Sequence, residues 1–383
     1  MACTNVNRYK RILMNGLPER LQALLGEAEV TRDDYLGYPV AKDFEYSSLA
    51  EFLDVPLNNL GDPFTDSTWK VDSRALEREV VEFFAKLMRA EDDNWWGYVT
   101  NGGSEGNLYG LYLARELYPQ GMVYFSEETH YSVSKNLHLL NMRHIMIRAQ
   151  ESGEIDYDDL FETMKLHRDK PPILFMNIGT TMTEGKDDIE RVRGMLKKLA
   201  IPHYYIHSDA ALCGPMAPFL EPRPAFDFAD GADSIAISGH KFIGSPIPCG
   251  IVLARKQHVD RIARSIAYIG CLDTTVTGSR NGLTPIILWA AIQRFGIEGL
   301  RRRVMTSLDL AAYAQMRLKE NGIAAWRNPN AITVVFPAVP DAVKQRWQLA
   351  TARGQSHLIA VPGTTRETID RFIDDLIQTG ERA

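Results

Sequence analysis

Short apolar runs alternate with stretches of helical periodicity from about residue 100 to residue 255 of this 383-residue chain. The helical stretches cover 105–118, 130–141, 156–168 and 187–199. Apolar runs of this length are typical of parallel strands, because covering helices bury both faces of the sheet. The pattern predicts an α/β domain with a mostly parallel sheet, whose strands are Met122–Ser126, His144–Ile147, Ile173–Ile178, Tyr204–His207, Ser234–Ile237 and Gly250–Ala254.

The two ends of the chain follow different patterns. Residues 7–27 have helical periodicity and are predicted to form an arm, and further helices are predicted at 284–296 and 298–321. The tail predicts a strand at 331–337, a helix at 341–352, a strand at 357–361 and a helix at 365–379. We therefore expect an N-terminal segment over 1–60, a large α/β domain over 61–297 and a small α+β domain over 298–383.

The composition excludes several classes of function. A net charge of −6 and a pI of about 5.9 do not favour nucleic-acid binding, and the basic run 301–303 is predicted to be a solvated helix face. The four cysteines lack metal-ligand spacing, so no metal site is predicted. Since no stretch is long and apolar enough to span a bilayer and no apolar leader precedes the first strand, we expect a reduced, cytoplasmic protein without membrane contact.

Three predicted strands end in polar residues. Asp209 follows one strand, Thr180 and Thr181 follow another, and His240 and Lys241 follow a third. Ligands collect at the carboxyl ends of the strands in sheets of this kind. Each group taken alone is also compatible with an ordinary polar strand end, but together they indicate a ligand.

A lysine and a carboxylate at such an edge suit an aldehyde cofactor. A partly desolvated lysine loses proton affinity and becomes a nucleophile for carbonyl groups, so Lys241 can bind an aldehyde as a Schiff base. If the cofactor is pyridoxal phosphate, Asp209 would keep its pyridine nitrogen protonated. Ala211 is small enough for the ring to lie against it.

The phosphate and the ring face need further partners. Gly102, Gly103 and Ser104 precede an amphipathic run, and glycines at a helix N-terminus allow close approach of an anion. The same residues also fit a simple helix cap. His130 begins a helix after a strand, where its flat ring could stack on the pyridine or serve a structural role.

Several motifs together resemble a known family. The chain resembles the pyridoxal-phosphate-dependent group II amino-acid decarboxylases, which include bacterial histidine decarboxylases and plant serine decarboxylases. The stretches that carry the resemblance extend over nearly the whole chain: Leu36–Pro39, Asn58–Asp62, Gly97–Gly103, Thr129–Ser132, Asn177–Thr181, Asp209–Ala211, Ser238–Lys241 and Gly278–Gly282.

The resemblance implies the transferase fold type I of pyridoxal-phosphate enzymes, with a seven-stranded sheet, and a homodimer with active sites at the subunit interface. It implies Lys241 as the Schiff-base lysine, Asp209 on the ring nitrogen and His130 on the ring face. The other cofactor-binding residues expected from it are Gly102, Gly103, Ser104, Thr180, Ala211, Ser238 and His240, with Gly278 and Ser279 contributed by the neighbouring subunit.

The expected reaction is α-decarboxylation of an L-amino acid to its amine and carbon dioxide. L-Histidine is the first candidate substrate and L-serine the second. An aliphatic amino acid is the third, because Leu283 stands where relatives usually have a histidine. Tyr38 and Leu283 are the predicted substrate-binding residues. Tyr268 is the predicted proton donor to Cα, with His240 and Lys241 as alternatives and a packed aromatic role also open.

Two other functions fit the same residues. An aminotransferase or another lyase uses the same lysine and aspartate, and a transaminase usually binds the substrate carboxylate with an arginine such as Arg353, Arg366 or Arg371. A binding protein that keeps the site without turnover is the second alternative.

Overall fold

The structure is a computed structural model that describes residues 17–32, 34–266 and 270–380. Helices flank the strands throughout this part of the chain. They are α1 (Glu19–Thr31), α2 (Arg74–Leu87), α3 (Gly103–Leu117), α4 (Ser132–Leu139), α5 (Tyr157–Leu166), α6 (Ile189–Lys198), α7 (Lys256–Val259), α8 (Leu283–Glu320), α9 (Asp341–Arg346) and α10 (Arg366–Gly380). No helix among these residues combines the length and the apolar character that crossing a membrane requires.

A seven-stranded sheet forms the centre of the molecule, in the order β1-β7-β6-β5-β4-β2-β3. Strands β2 to β6 pair in parallel, and β7 is antiparallel to both β6 and β1. The expected mostly parallel α/β sheet is confirmed. Its strands are β1 (Trp95–Thr100), β2 (Met122–Ser126), β3 (His144–Ile147), β4 (Pro172–Asn177), β5 (Tyr205–Asp209), β6 (Ser234–Ser238) and β7 (Gly250–Arg255).

Both faces of this sheet are buried, which explains the unbroken apolar runs. Successive strand residues point to opposite faces, so Leu174 and Met176 pack on one side of β4 while Ile173 and Phe175 pack on the other. All four side chains are fully buried. Each stabilises the fold by roughly 1.5–3 kcal/mol through burial of apolar surface. The rigid sheet therefore gives its strand ends fixed positions.

A hairpin and a small antiparallel sheet complete the strands. β8 (Arg264–Ile266) pairs with β9 (Cys271–Asp273), and the small sheet has the order β10-β12-β11, formed by β10 (Thr333–Pro337), β11 (Thr351–Ala352) and β12 (Gln355–Ile359). The small C-terminal α+β unit is thus present, while the exact domain boundaries stay a prediction.

One helix prediction is confirmed and another needs correction. The helices predicted at 284–296 and 298–321 are the two parts of α8, which a non-helical kink at Gly296 separates, with a φ of 55° and a ψ of −169°. The helix predicted at 341–352 ends at Arg346, because Thr351 and Ala352 pair with β12 instead. Of the predicted arm 7–27, residues 19–27 belong to α1, and residues 7–16 lie outside the described part of the chain.

Candidate active site

The carboxyl ends of β4, β5 and β6 lie side by side at one edge of the central sheet. Asn177 pairs with Asp209, and Asp209 pairs with Ala236 two residues before the end of β6. Asp209 is the last residue of β5 and its side chain is nearly buried. Three strand ends thus converge, as the sequence predicts for a ligand site.

Lys241 lies in a short π-helical turn, Gly239–Ile243, that follows β6. Its backbone leaves helical geometry, with a ψ of −110°, and the Lys241 carbonyl oxygen accepts a hydrogen bond from the Ala41 backbone N–H at 3.0 Å. Burial lowers the pKa of the Lys241 ammonium, while the negative charge of Asp209 opposes that shift. A lysine in this setting gives up its proton more readily than an exposed one.

The glycine-rich segment places the N-terminus of α3 against β6. An added Cβ on Gly103 would lie 2.6 Å from the Ser238 Oγ, so any larger residue here would force the Ser238 side chain to move. Gly102 has a φ of 147°, which favours glycine, and Ser104 lies in the first turn of the helix. The first turn of α3 therefore offers backbone N–H groups and a positive dipole end to an anion.

The two predicted histidines are held by defined partners. The Ser132 backbone N–H donates to His130 Nδ1 at 3.3 Å, and the Ser132 hydroxyl lies 2.8 Å from the same nitrogen. His240 Nδ1 lies 2.9 Å from the Cys249 carbonyl oxygen. Burial lowers the pKa of both imidazoles, and the Lys241 charge adds to this effect. Both rings are therefore neutral around pH 7.

Two adjoining cavities open at this edge, with volumes of about 120 Å³ and about 1010 Å³. The larger one reaches the N-terminal segment and the small C-terminal sheet. Six residues line both cavities, so the two form one space: His130, Gly179, Thr180, Thr181, His240 and Lys241.

Nine predicted cofactor-binding residues line the smaller cavity, namely Gly103, Ser104, His130, Thr180, Asp209, Ala211, Ser238, His240 and Lys241. Gly102 adjoins them but does not line it. The Thr180 hydroxyl is already engaged, since it accepts from the Gly185 N–H at 2.9 Å and lies 3.1 Å from Thr183 Oγ1.

The predicted substrate residues and loop residues are more dispersed. Tyr38 lines the larger cavity and is 59% exposed. Gly278, Ser279 and Leu283 line neither cavity of their own chain; Ser279 Oγ accepts a hydrogen bond from Asn58, and Leu283 begins α8. Tyr268 lies outside the described residues.

One arginine named for the aminotransferase alternative reaches the site. Arg353 lines the larger cavity, and its guanidinium pairs with the Glu128 carboxylate. Arg366 and Arg371 line neither cavity. In this chain Arg353 is thus already neutralised by a carboxylate.

Three polar residues of the smaller cavity were given no role from the sequence, namely Asn107, Ser132 and Asn177, whereas Thr181 was named with Thr180 at its strand end. Asn107 had a usable signal, because it follows Gly103 by four residues and so shares its face of α3. Its side-chain N–H donates to Asp209 Oδ2 at 2.8 Å.

Comparison with known proteins agrees with this geometry. Residues 50–337 match the model of the pyridoxal-dependent decarboxylase conserved domain. This chain belongs to the pyridoxal-dependent decarboxylase family. The family confirms the predicted fold class, the pyridoxal phosphate cofactor and the carboxy-lyase chemistry, and it excludes neither substrate alternative.

Individual relatives cover nearly the whole chain. A histidine decarboxylase of Mesorhizobium japonicum is 54% identical over 94% of this chain and 97% of its own length. A histidine decarboxylase of Morganella morganii is 47% identical over 89% of this chain and 91% of its own. Among solved structures, the L-methionine decarboxylase of Streptomyces sp. 590 is 26% identical, with a TM-score of 0.85, and the match covers 95% of both chains.

The residues of the decarboxylase site fit pyridoxal phosphate. A half-buried lysine with a lowered pKa, a carboxylate 8% exposed and a glycine-bounded helix N-terminus all border one space. An aldehyde needs the amine, a protonated pyridine nitrogen needs the carboxylate as acceptor, and a phosphate needs the N–H donors of the helix N-terminus.

Proposed function

We propose that this decarboxylase removes the α-carboxylate of L-histidine as carbon dioxide and releases histamine. Support for the substrate comes from the relatives named histidine decarboxylase, which are 45–54% identical over 89–94% of this chain. The observation that carries the chemistry is that Lys241 lines the same small cavity as the Asp209 carboxylate at the convergent strand ends, with a pKa lowered by desolvation.

Each part of the cofactor has a proposed partner in this chain. Lys241 would hold the aldehyde carbon, Asp209 the ring nitrogen and His130 the ring face, with Ala211 behind the ring. The phosphate would lie among Gly103, Ser104, Ser238 and His240, near the N-terminus of α3, with Gly102 and Thr180 in the surrounding loops. When bound, pyridoxal phosphate supplies an electron-accepting ring that draws electrons from the bond to the substrate carboxylate.

The protein's own contribution is to orient groups and to control protons. The lowered pKa of Lys241 increases its neutral, nucleophilic fraction near pH 7. Asp209 keeps a negative charge where positive charge on the ring nitrogen is needed. The His130 ring stays neutral, so it can lie against an electron-poor ring without repelling it.

The proton that replaces the carboxylate at Cα needs a donor. We keep Tyr268 as the proposed donor, with His240 and Lys241 as alternatives. The His240 ring lines both cavities, and its Nδ1–H is held by the Cys249 carbonyl oxygen, so the Nε2 of this neutral ring must take up a proton before it can donate one to Cα.

A screen of the twenty amino acids tests the substrate. The holoenzyme should release carbon dioxide and amine from L-histidine with a far higher kcat/KM than from any other amino acid. Ethanolamine from serine, or amine from large aliphatic substrates only, would contradict the proposal; oxo-acid in place of carbon dioxide would indicate transamination.

We further propose a homodimer that completes the active site. Tyr38 and Tyr131 line the larger cavity yet are 59% and 69% exposed, so a second copy covering them would exclude water from the reaction. Gly278 and Ser279 lie away from the cavities of their own chain and are available to the site of the partner.

Mixing two inactive variants tests this shared site. Lys241→Ala is combined with a chain that carries bulky substitutions at Gly278 and Ser279. If the loop acts on the neighbouring subunit, one site of each mixed dimer is intact, and an equal mixture recovers about one quarter of the activity. No recovery in verified mixed dimers, or a monomeric active enzyme, would contradict the proposal.

We also propose a cytoplasmic location. Cys213 and Cys249 are buried free thiols, which suits a reducing compartment.

A further inference from the structure

The Asp209 carboxylate ends a line of buried polar side chains. Asn107 donates from its side-chain nitrogen to Asp209 Oδ2 at 2.8 Å. A carboxylate can only accept, so the Asn107 amide must turn its N–H₂ toward Asp209 and its oxygen away. That oxygen faces His207 Nε2 at 2.9 Å. Its role as an acceptor requires the Nε2 of His207 to carry a proton.

The protonation of His207 also fixes the direction of its hydrogen bond with Ser234. Burial lowers the pKa of His207 to about 3, so the ring is neutral and carries one N–H. With its proton on Nε2, its Nδ1 must accept, and the Ser234 hydroxyl lies 2.7 Å from it. The Tyr205 hydroxyl in turn donates to Ser234 Oγ at 2.9 Å. Every donor in the line therefore points toward Asp209.

The fold makes room for this line of residues. Tyr205, His207 and Ser234 are fully buried, and Asn107 is 2% exposed. An added Cβ on Gly110 would lie 2.2 Å from His207 Nδ1, so glycine is what allows α3 to pack on the imidazole. Polar groups in such a place are costly unless each has a partner, and here each has one.

We propose that Tyr205, Ser234, His207 and Asn107 form a one-way hydrogen-bond relay that positions Asp209 and keeps its carboxylate ionised opposite the cofactor's ring nitrogen. His207 and Asn107 are then positioning residues of the decarboxylation. The inference rests on the proposed role of Asp209. Aligned donors polarise one another, so the relay strengthens the final hydrogen bond to the carboxylate.

A purely structural role would have different consequences. Buried polar residues that only fill the space between α3 and β5 would affect unfolding when they are replaced. In that case, replacing them would not change the protonation of the bound ring nitrogen, and that protonation would not depend on the tautomer of His207.

The experiment compares four variants of the full-length holoenzyme. His207→Gln keeps one donor and one acceptor, whereas His207→Leu removes both. Ser234→Ala truncates the relay by one hydroxyl, and Tyr313→Phe is the control, because the Tyr313 hydroxyl bonds Asp370 far from the cavities. The ring nitrogen of ¹⁵N-labelled pyridoxal phosphate is observed by NMR, and kcat and KM are measured in parallel.

In the relay account, His207→Leu lowers kcat about 10- to 100-fold with KM changed less than about twofold, and shifts the ring nitrogen toward its unprotonated signal. His207→Gln keeps most of the wild-type kcat and of the protonated ring-nitrogen signal. Ser234→Ala changes both quantities in the same direction as His207→Leu, but by less. If His207→Leu does not fold, Ser234→Ala and His207→Gln still decide the outcome. Unchanged ring-nitrogen signals in folded Ser234→Ala and His207→Leu would overturn the relay.

A separate readout uses the cofactor-free protein. His207 should show the Nε2–H tautomer in its ¹⁵N spectrum and should not titrate between pH 5 and 8; an Nδ1–H tautomer or a titrating ring would overturn the inference. Asp209→Ala separates the two proposals. If Asp209→Ala leaves the ring nitrogen protonated, the proposed role of Asp209 fails. If Asp209→Ala removes that proton but the relay variants leave it in place, only the relay fails.

Discussion

Glu184→Gln should weaken the attachment of the small C-terminal sheet to the loop 178–186, which lines the two cavities with Gly179, Thr180 and Thr181. Glu184 is fully buried, and its Oε2 accepts from the backbone N–H groups of Ile332 and Thr333, each at 2.9 Å. The same oxygen accepts from the Thr333 hydroxyl at 2.8 Å. Its Oε1 pairs with the Lys186 ammonium at 3.2 Å. One carboxylate thus joins β10 to the loop that carries Thr180.

The expected loss follows from the buried charge. Burial alone would lower the pKa of Lys186, but the Glu184 carboxylate outweighs burial and raises it. A glutamine would leave the ammonium without a counter-charge and direct an N–H₂ toward it. Breaking one partner of a buried pair costs about 3–5 kcal/mol. We expect Tm of the cofactor-free protein to fall by roughly 5–15 °C.

The pH dependence makes this test specific. In Glu184→Gln the folded state holds the Lys186 proton less tightly than the unfolded state does, so stability should rise as the pH increases from 7 toward 10. The wild type should lack this rise, since its raised Lys186 pKa costs stability only above the ordinary value of 10.5. Thermal unfolding measures the Tm and its change with pH in both proteins. The Tm of Glu184→Gln/Lys186→Met should fall less than the Tm of Glu184→Gln. A Tm change below about 2 °C, or no rise with pH, would refute the reasoning.

Two further substitutions test packing and titration at the site. Gly103→Ala should weaken cofactor binding and lower the free energy of unfolding by about 1–3 kcal/mol, because its Cβ would lie 2.6 Å from Ser238 Oγ. The double variant Gly103→Ala/Ser238→Ala should regain this stability in an unfolding measurement, since the remaining Cβ of residue 238 is 3.9 Å away. Because burial lowers the pKa of His207 from 6.5 to about 3, only the unfolded state takes up its proton as the pH falls below 6.5, which costs about 1.4 kcal/mol per pH unit. The Tm of the cofactor-free protein should therefore fall less between pH 7 and pH 5 in His207→Gln than in the wild type, and equal falls would contradict this assignment.

Much of the sheet could be predicted because its burial is local information. A parallel strand covered on both faces must be apolar at every position, as in Pro172–Asn177 and Ser234–Ser238. The strand Trp95–Thr100 was not predicted, although it is buried too. It pairs with β7 in antiparallel fashion and comes before 105–118, the first helix predicted within the α/β region. Its place depends on a partner about 150 residues away in the chain.

The residues of the candidate site also fall into a predictable group and a group that depends on distant contacts. Lys241, Asp209 and the glycine-rich segment follow strand ends, so their convergence can be inferred from the order of the elements. Asn107 joins Asp209 across 102 positions, and Glu184 joins Thr333 across 149. Such contacts depend on how distant elements pack. The spacing of Asn107 from Gly103 indicates a shared helix face, but not the partner that this face meets. For the same reason the positions of Leu283 and Ser279 relative to a neighbouring subunit could not be derived from one chain.

The most direct test of this account is to locate the cofactor on the chain. The holoenzyme is reduced with borohydride, digested and analysed by mass spectrometry for a lysine that carries the pyridoxyl phosphate group. The account predicts the modification on Lys241, and its loss in Lys241→Ala together with carbon dioxide release from L-histidine. Modification of another lysine, such as the buried Lys186, or turnover by Lys241→Ala would contradict it.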